Sequence, residues 1–235
     1  MTTDYLKVCE FNRAFDFPQY DDFSNKSCLK LRLDLIKEEI GELEEAINSN
    51  DIIEQQDACA DILYVAYGMA YTYKIDSDKI LEKYMLNKSK TLFQNIDKYF
   101  ESIFDEFTNH SVFTTIKVLF TKLENLCNDN SGSVSEDWIN ILHYIIVKIY
   151  IFQIICNYNS DKIFTIVHDS NMSKLCKNEE EAKQTVIKYE QEYKDGKSPY
   201  DSPYYYHLDN GLYVIKNKST GKALKSINYI KVKLN

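Results

Sequence analysis

Between Leu29 and Ala46 apolar residues return at Leu33, Ile36, Ile40 and Leu43, the three-and-four spacing of a helix that buries one seam, and most positions between them are charged. That pattern admits a helix packed on one side and little else. Ser49-Asn50-Asp51 interrupts it, and Asp51 with Glu54 has capping-box spacing, which predicts a second helix to about Tyr73. Two helices joined by so short a break pack as antiparallel neighbours. A third is predicted from Ser77 to about Phe104, begun by Asp76-Ser77-Asp78. With only 6 Gly and 3 Pro in 235 residues, long helices with short joints are favoured, and the expected class is all-α.

The middle of the chain repeats this plan more faintly. Ile116 to Cys127 is amphipathic, the segment from Asn128 to Gly132 breaks it, and Ser135-Glu136-Asp137 caps a long apolar helix to Tyr158. DILYVAYGMAYTYKIDSDKI, from Asp61, and NILHYIIVKIYIFQIICNYNSDKI, from Asn140, both open on Ile-Leu-aromatic and close on Ser-Asp-Lys-Ile. NKSK at Asn87 and NMSK at Asn171 follow in the same order, which points to an internal duplication. After Asn178 a charged helix, EEEAKQTVIKYEQEY, gives way to a Gly- and Pro-containing stretch. Two strand-like runs, Gly211 to Lys216 and Ala223 to Val232, then read as a hairpin. The run Tyr204-Tyr205-Tyr206 is assigned to packing the hairpin against the bundle rather than to stacking on a base.

A net charge of −8 argues against nucleic acid or an anionic membrane surface as the main partner. Six scattered cysteines without a C-x-x-C pair suggest neither a zinc site nor a disulfide framework, and fit a reducing, cytoplasmic setting. The first residues carry no apolar signal-like run. The most hydrophobic stretch, Ile139 to Cys156, is interrupted by His143, Lys148 and Gln153, so it is expected to be a buried helix rather than a membrane span.

The chemistry concentrates on the first helix pair. Glu38 and Glu42 are four apart and Glu39 and Glu42 three apart, so they share a helix face. Asp57 and Asp61, again four apart, lie on the next helix, and antiparallel pairing through Leu43 and Ile62 sets them opposite the glutamates. Oxygen-only carboxylate sites suit Mg²⁺ or Mn²⁺. Glu44 and Glu45 are assigned to a solvated charged face. His143 reads as a packed core residue, His168 equally as a phosphate contact or a surface histidine, and Phe11, Asn12 and Phe15 as a base pocket or simply core.

RLDLIKEEIGELEEA followed by DACADILYVAYG resembles the MazG-like all-α nucleoside triphosphate pyrophosphohydrolases, the superfamily of phosphoribosyl-ATP pyrophosphohydrolase and the dimeric dUTPases. VCEFNRAFDFP, VHDSNMSKL and TGKALKSINY are similar to flanking segments of the phosphoribosyl-ATP pyrophosphohydrolase-like branch. The resemblance implies a four-helix bundle and Mg²⁺-dependent cleavage of a triphosphate to a monophosphate and pyrophosphate. It implies metal binding by Glu39, Glu42, Asp61 and Asp57, a water-activating role for Glu38, and substrate contacts from Asn171, Lys174 and Arg32, with Asn12 added as a base-pocket candidate. Ala58 departs from the pattern, which has Glu there, and Asp57 is taken as its substitute. A catalytic repeat at 1–105, a degenerate repeat at 106–178 and a C-terminal extension at 179–235 are expected, forming a pseudo-dimer within one chain or a homodimer. In the second repeat Thr121, Lys122, Asn125 and Asn140 stand near the positions of Glu38, Glu39, Glu42 and Asp61, so it lends no metal ligands. The alternative is an inactive nucleotide-binding protein that keeps the fold.

Overall fold

The computed structural model describes residues 3–86, 108–128 and 134–234. The far part of the third predicted helix, the NKSK segment at Asn87 and most of the break after Asn128 lie outside them. Eight helices and three short strands occupy the described residues: α1 Asp4–Ala14, α2 Lys26–Ser49, α3 Ile52–Thr72, α4 Ser77–Leu86, α5 Asn109–Asn128, α6 Glu136–Ile155, α7 Ser160–Met172, α8 Glu179–Lys194, β1 Pro203–His207, β2 Tyr213–Asn217 and β3 Ala223–Leu224. The chain forms two compact units. One comprises Met1–Cys9, Pro18–Phe164 and Leu234–Asn235; the other comprises Glu10–Phe17 and Thr165–Lys233. The two helix pairs of the apparent duplication thus share one unit.

That first unit is a four-helix bundle. α2 packs on α3, α5 on α6, and the pairs meet through α3 against α6 and α2 against α5. The seam of α2 is the one read from spacing, with Leu29, Leu33, Ile36, Ile40, Leu43 and Ala46 all buried. Asn25 caps it by accepting from the Cys28 N–H, and Asn50 ends it in the left-handed conformation at φ 55°. One residue later Asp51 starts α3 by accepting from the Ile53 and Glu54 N–H groups, both at 3.1 Å. Asp51→Ala is expected to cost about 1 kcal/mol in urea denaturation, because two N–H groups of the first turn lose their acceptor.

α6 is the one described helix long and apolar enough to cross a membrane. It is instead a core helix: Trp138, Leu142, Ile145, Ile146, Ile149 and Phe152 are fully buried in the bundle. It stops at Ile155 rather than Tyr158, because Asn157 turns left-handed at φ 58° and the Tyr158 N–H closes back on the Gln153 carbonyl. His143 is the packed histidine expected. Its Nδ1 lies 2.7 Å from the Ile139 carbonyl and so donates, leaving Nε2 to accept from Ser77 Oγ at 3.0 Å. α5 begins at Asn109, seven residues before the amphipathic pattern suggests.

In the second unit the β element holds three antiparallel strands in the order β1-β2-β3, one more than the hairpin read from sequence. The extra strand is the tyrosine run: Tyr204 faces Lys216, Tyr205 faces Ile215 and Tyr206 faces Val214. Tyr205 packs on the cluster that holds Cys176, Ala182 and Tyr189, and Tyr206 on the cluster of Ala14, Phe15, Leu175 and Val214, so both rings serve packing within this unit, where packing against the bundle was expected. The later predicted strand shrinks to Ala223–Leu224. Beyond it the backbone is held by side chains: Ser226 Oγ donates to the buried Glu181 carboxylate, and the Ile227 N–H donates to Thr185 Oγ1.

Candidate active site

The helix pair brings the predicted carboxylates into one electrostatic neighbourhood. Glu39 is half-buried on α2, and its acid is pushed up to about 8, chiefly by burial and then by Asp61, Glu42, Glu38 and Asp57. Burial also raises Glu42, and Glu38, Glu54, Asp57 and Glu45 add to the effect. Asp57 therefore acts on both glutamates, whereas Ala58 is 1% exposed and belongs to the core. Glu54 is a further acidic neighbour that spacing assigned only to the capping box. Among the described residues no three His, Cys, Asp or Glu side chains are drawn together into a ready ligand set, here or near Asn140. The donor set is nonetheless all oxygen, the chemistry a hard divalent cation accepts.

Glu38 and Glu42 are exposed beside an open depression lined by Asp34, Lys37, Gly41 and Glu45 as well. Glu44, on the solvated face expected of it, pairs with Lys117 of α5 at 2.6 Å, while Lys37 reaches Glu124 of α5 at 3.2 Å. These pairs flank the Glu38–Glu42 segment and tie it to the second helix pair. Sequence spacing missed both, since each joins residues more than seventy positions apart. Arg32, half-buried on α2, sits beside the Cys28 thiol and the Tyr73 and Tyr71 hydroxyls, and burial pulls its pKa down.

The remaining predicted contacts fall in the second unit. The Lys174 ammonium donates to Asn171 Oδ1 at 2.5 Å and lies 5.8 Å from the centre of the Phe11 ring. Asn171 and Lys174 thus form one local pair, held where α7 ends, since the Ser226 N–H donates to the Lys174 carbonyl. Asn12 is 2% exposed and its carbonyl accepts from the Phe17 N–H, while the Phe11 and Phe15 rings meet at 4.4 Å, tilted by 38°, in the local core. His168 is buried rather than on the surface, with Nε2 at 3.9 Å from Glu10.

Comparison with known proteins bears on these residues. Positions 8–87, which contain Glu38, Glu39, Glu42, Asp57 and Asp61, match the family model described as phosphoribosyl-ATP pyrophosphohydrolase. A protein of Acanthamoeba polyphaga mimivirus described as uncharacterized protein L479 is 38% identical over 240 residues, spanning 95% of this chain and 91% of its own length. No solved structure matches significantly.

Proposed function

Because the chain belongs to the MazG-like nucleotide pyrophosphohydrolase superfamily, we propose that it hydrolyses a nucleoside triphosphate between the α and β phosphates, releasing a monophosphate and pyrophosphate. The observation that carries this reading is Glu39, a carboxyl group whose burial and four acidic neighbours on α2 and α3 resist its ionisation until a cation compensates them. In this reading Glu39, Glu42, Asp61 and Asp57 hold Mg²⁺ or Mn²⁺, with Asp57 doing the work of the glutamate absent at Ala58. The cation supplies charge neutralisation of the phosphates and a more acidic water.

The chain's own groups do the rest. Glu38, exposed one residue before Glu39, orients the attacking water and takes its proton. Arg32 on α2 gives fixed positive charge for phosphate, while Asn171 and Lys174, paired with each other in the other unit, are carried as substrate contacts by the family resemblance alone. Asn12, enclosed in its unit, would serve a base pocket only by supporting its wall. The protein would cleanse or balance nucleotide pools in the cytoplasm. The second helix pair would be a non-catalytic partner within the chain, with a homodimer the other arrangement open to it.

A panel of ribo- and deoxynucleoside triphosphates, each with Mg²⁺ or Mn²⁺, tests the reading by pyrophosphate release. Cation-dependent release from at least one of them is expected. Binding without release would instead favour the silent nucleotide-binding protein that the missing carboxylate at Ala58 suggests.

A further inference from the structure

Cys28, Arg32, Leu35 and Glu39 are all half-buried on α2 and follow one another at spacings of four, three and four, so they form a second stripe beside the apolar seam. Both ends of the stripe face α3. Glu39 lies among Asp57 and Asp61, while Arg32 and Cys28 lie by Tyr73 at the C-terminal cap of that helix. Tyr73 is 4% exposed, and its hydroxyl has no hydrogen-bond partner. Its other neighbours are bonded elsewhere: the Tyr20 hydroxyl accepts from Asn25 Nδ2 at 2.8 Å, and Cys127 Sγ accepts from the Trp138 indole N–H at 2.9 Å. A buried hydroxyl left unmet is costly and calls for a reason.

Resting on the hydrolase reading, we propose that Tyr73 is a substrate-binding residue: its hydroxyl and the Arg32 guanidinium together receive the terminal phosphate of the triphosphate. Both groups donate, and Arg32 can do nothing else. A terminal phosphate offers negative charge and acceptor oxygens, whereas the edge of a base also brings donors that Arg32 cannot meet. The stripe fixes the direction. Arg32 and Glu39 share a face seven residues apart, about 10.5 Å along the helix axis, so the phosphate chain runs from Glu39 toward Arg32 and the departing pyrophosphate ends on a fixed positive charge. Phe23 and Trp138 hold the Tyr73 ring in place, at 4.8 and 5.7 Å.

Calorimetry with Mn²⁺ and the α,β-methylene triphosphates of the nucleosides in the panel above, beside the corresponding diphosphates, tests this. Tyr73→Phe removes only the oxygen and keeps the ring. It should weaken binding of the triphosphate analogue by about tenfold or more, the scale of a hydrogen bond to a charged group. Binding of the diphosphate, which lacks the terminal phosphate, should not change. Arg32→Gln should show the same selective loss. Without nucleotide, Tyr73→Phe should melt no lower than the parent, since no bond within the fold is lost. Parental triphosphate affinity in either variant overturns the proposal, as does equal weakening of both nucleotides or a lower melting temperature for Tyr73→Phe. If the parent binds the analogue but releases no pyrophosphate from any triphosphate, the hydrolase reading fails while a selective loss still upholds the Tyr73 contact. If it binds no triphosphate the proposal falls, and if it also cleaves none the hydrolase reading falls with it.

Discussion

Glu39→Gln is expected to lower pyrophosphate release at least about 100-fold, the loss that disturbing even an outer partner of a metal site can cause, without weakening the metal-free fold. The reason is the direction of its titration. The Glu39 acid is raised in the folded protein from 4.5 to about 8, so the fold favours the protonated form. Its contribution is fully present below pH 4.5 and is lost as the pH rises through about 8, where the folded protein must carry a charge that burial and four neighbouring carboxylates oppose. Gln imitates the protonated form and never acquires that charge.

Melting curves therefore give a test that does not depend on turnover. Without divalent cation, parent and Glu39→Gln should melt together near pH 5, and the variant should melt higher above pH 8. Addition of Mg²⁺ should reverse the order at high pH, because the parent gains the free energy of binding and the variant does not. A parent insensitive to Mg²⁺ at pH 8 to 9, or a variant that keeps full activity, would remove Glu39 from the proposed site.

The parts of this site visible in the sequence were those encoded by neighbours along the chain. The seam from Leu29 to Ala46 and the Asp51 cap are fixed by spacing of three and four, and the structure places both where that spacing puts them. α5 begins early for a local reason too. Thr108 and Ser111 cap its first turn reciprocally, the Ser111 N–H donating to Thr108 Oγ1 and the Thr108 N–H to Ser111 Oγ. Other features need partners far away. Glu44 gives no local sign that Lys117 will pair with it, and Tyr204 to Tyr206 have no alternation of polar and apolar residues to mark a strand. Their pairing with β2 and their packing on α8 and α1 residues decide the conformation. His168 gives no local sign that Glu10 will face it.

Trp138→Ala should be the most damaging single change to the bundle, costing about 3–5 kcal/mol in urea denaturation and lowering the melting temperature by about 6–20 °C. Trp138 is fully buried in the first turn of α6, and its indole N–H donates to Cys127 Sγ at 2.9 Å near the end of α5. Its ring stands edge-on to Phe23 at 5.0 Å and to Tyr73 at 5.7 Å, and those two meet each other at 4.8 Å. Phe23 precedes α2 and Tyr73 caps the end of α3, so one side chain joins both helix pairs at the ends of the acidic helices. Loss of the ring removes apolar contact, aromatic edges and a hydrogen bond together. Trp138→Phe, which keeps the apolar contact but has no N–H, should recover most of the stability. A loss below about 1 kcal/mol for Trp138→Ala, the scale of a surface change, would mean that the helix pairs are held together elsewhere.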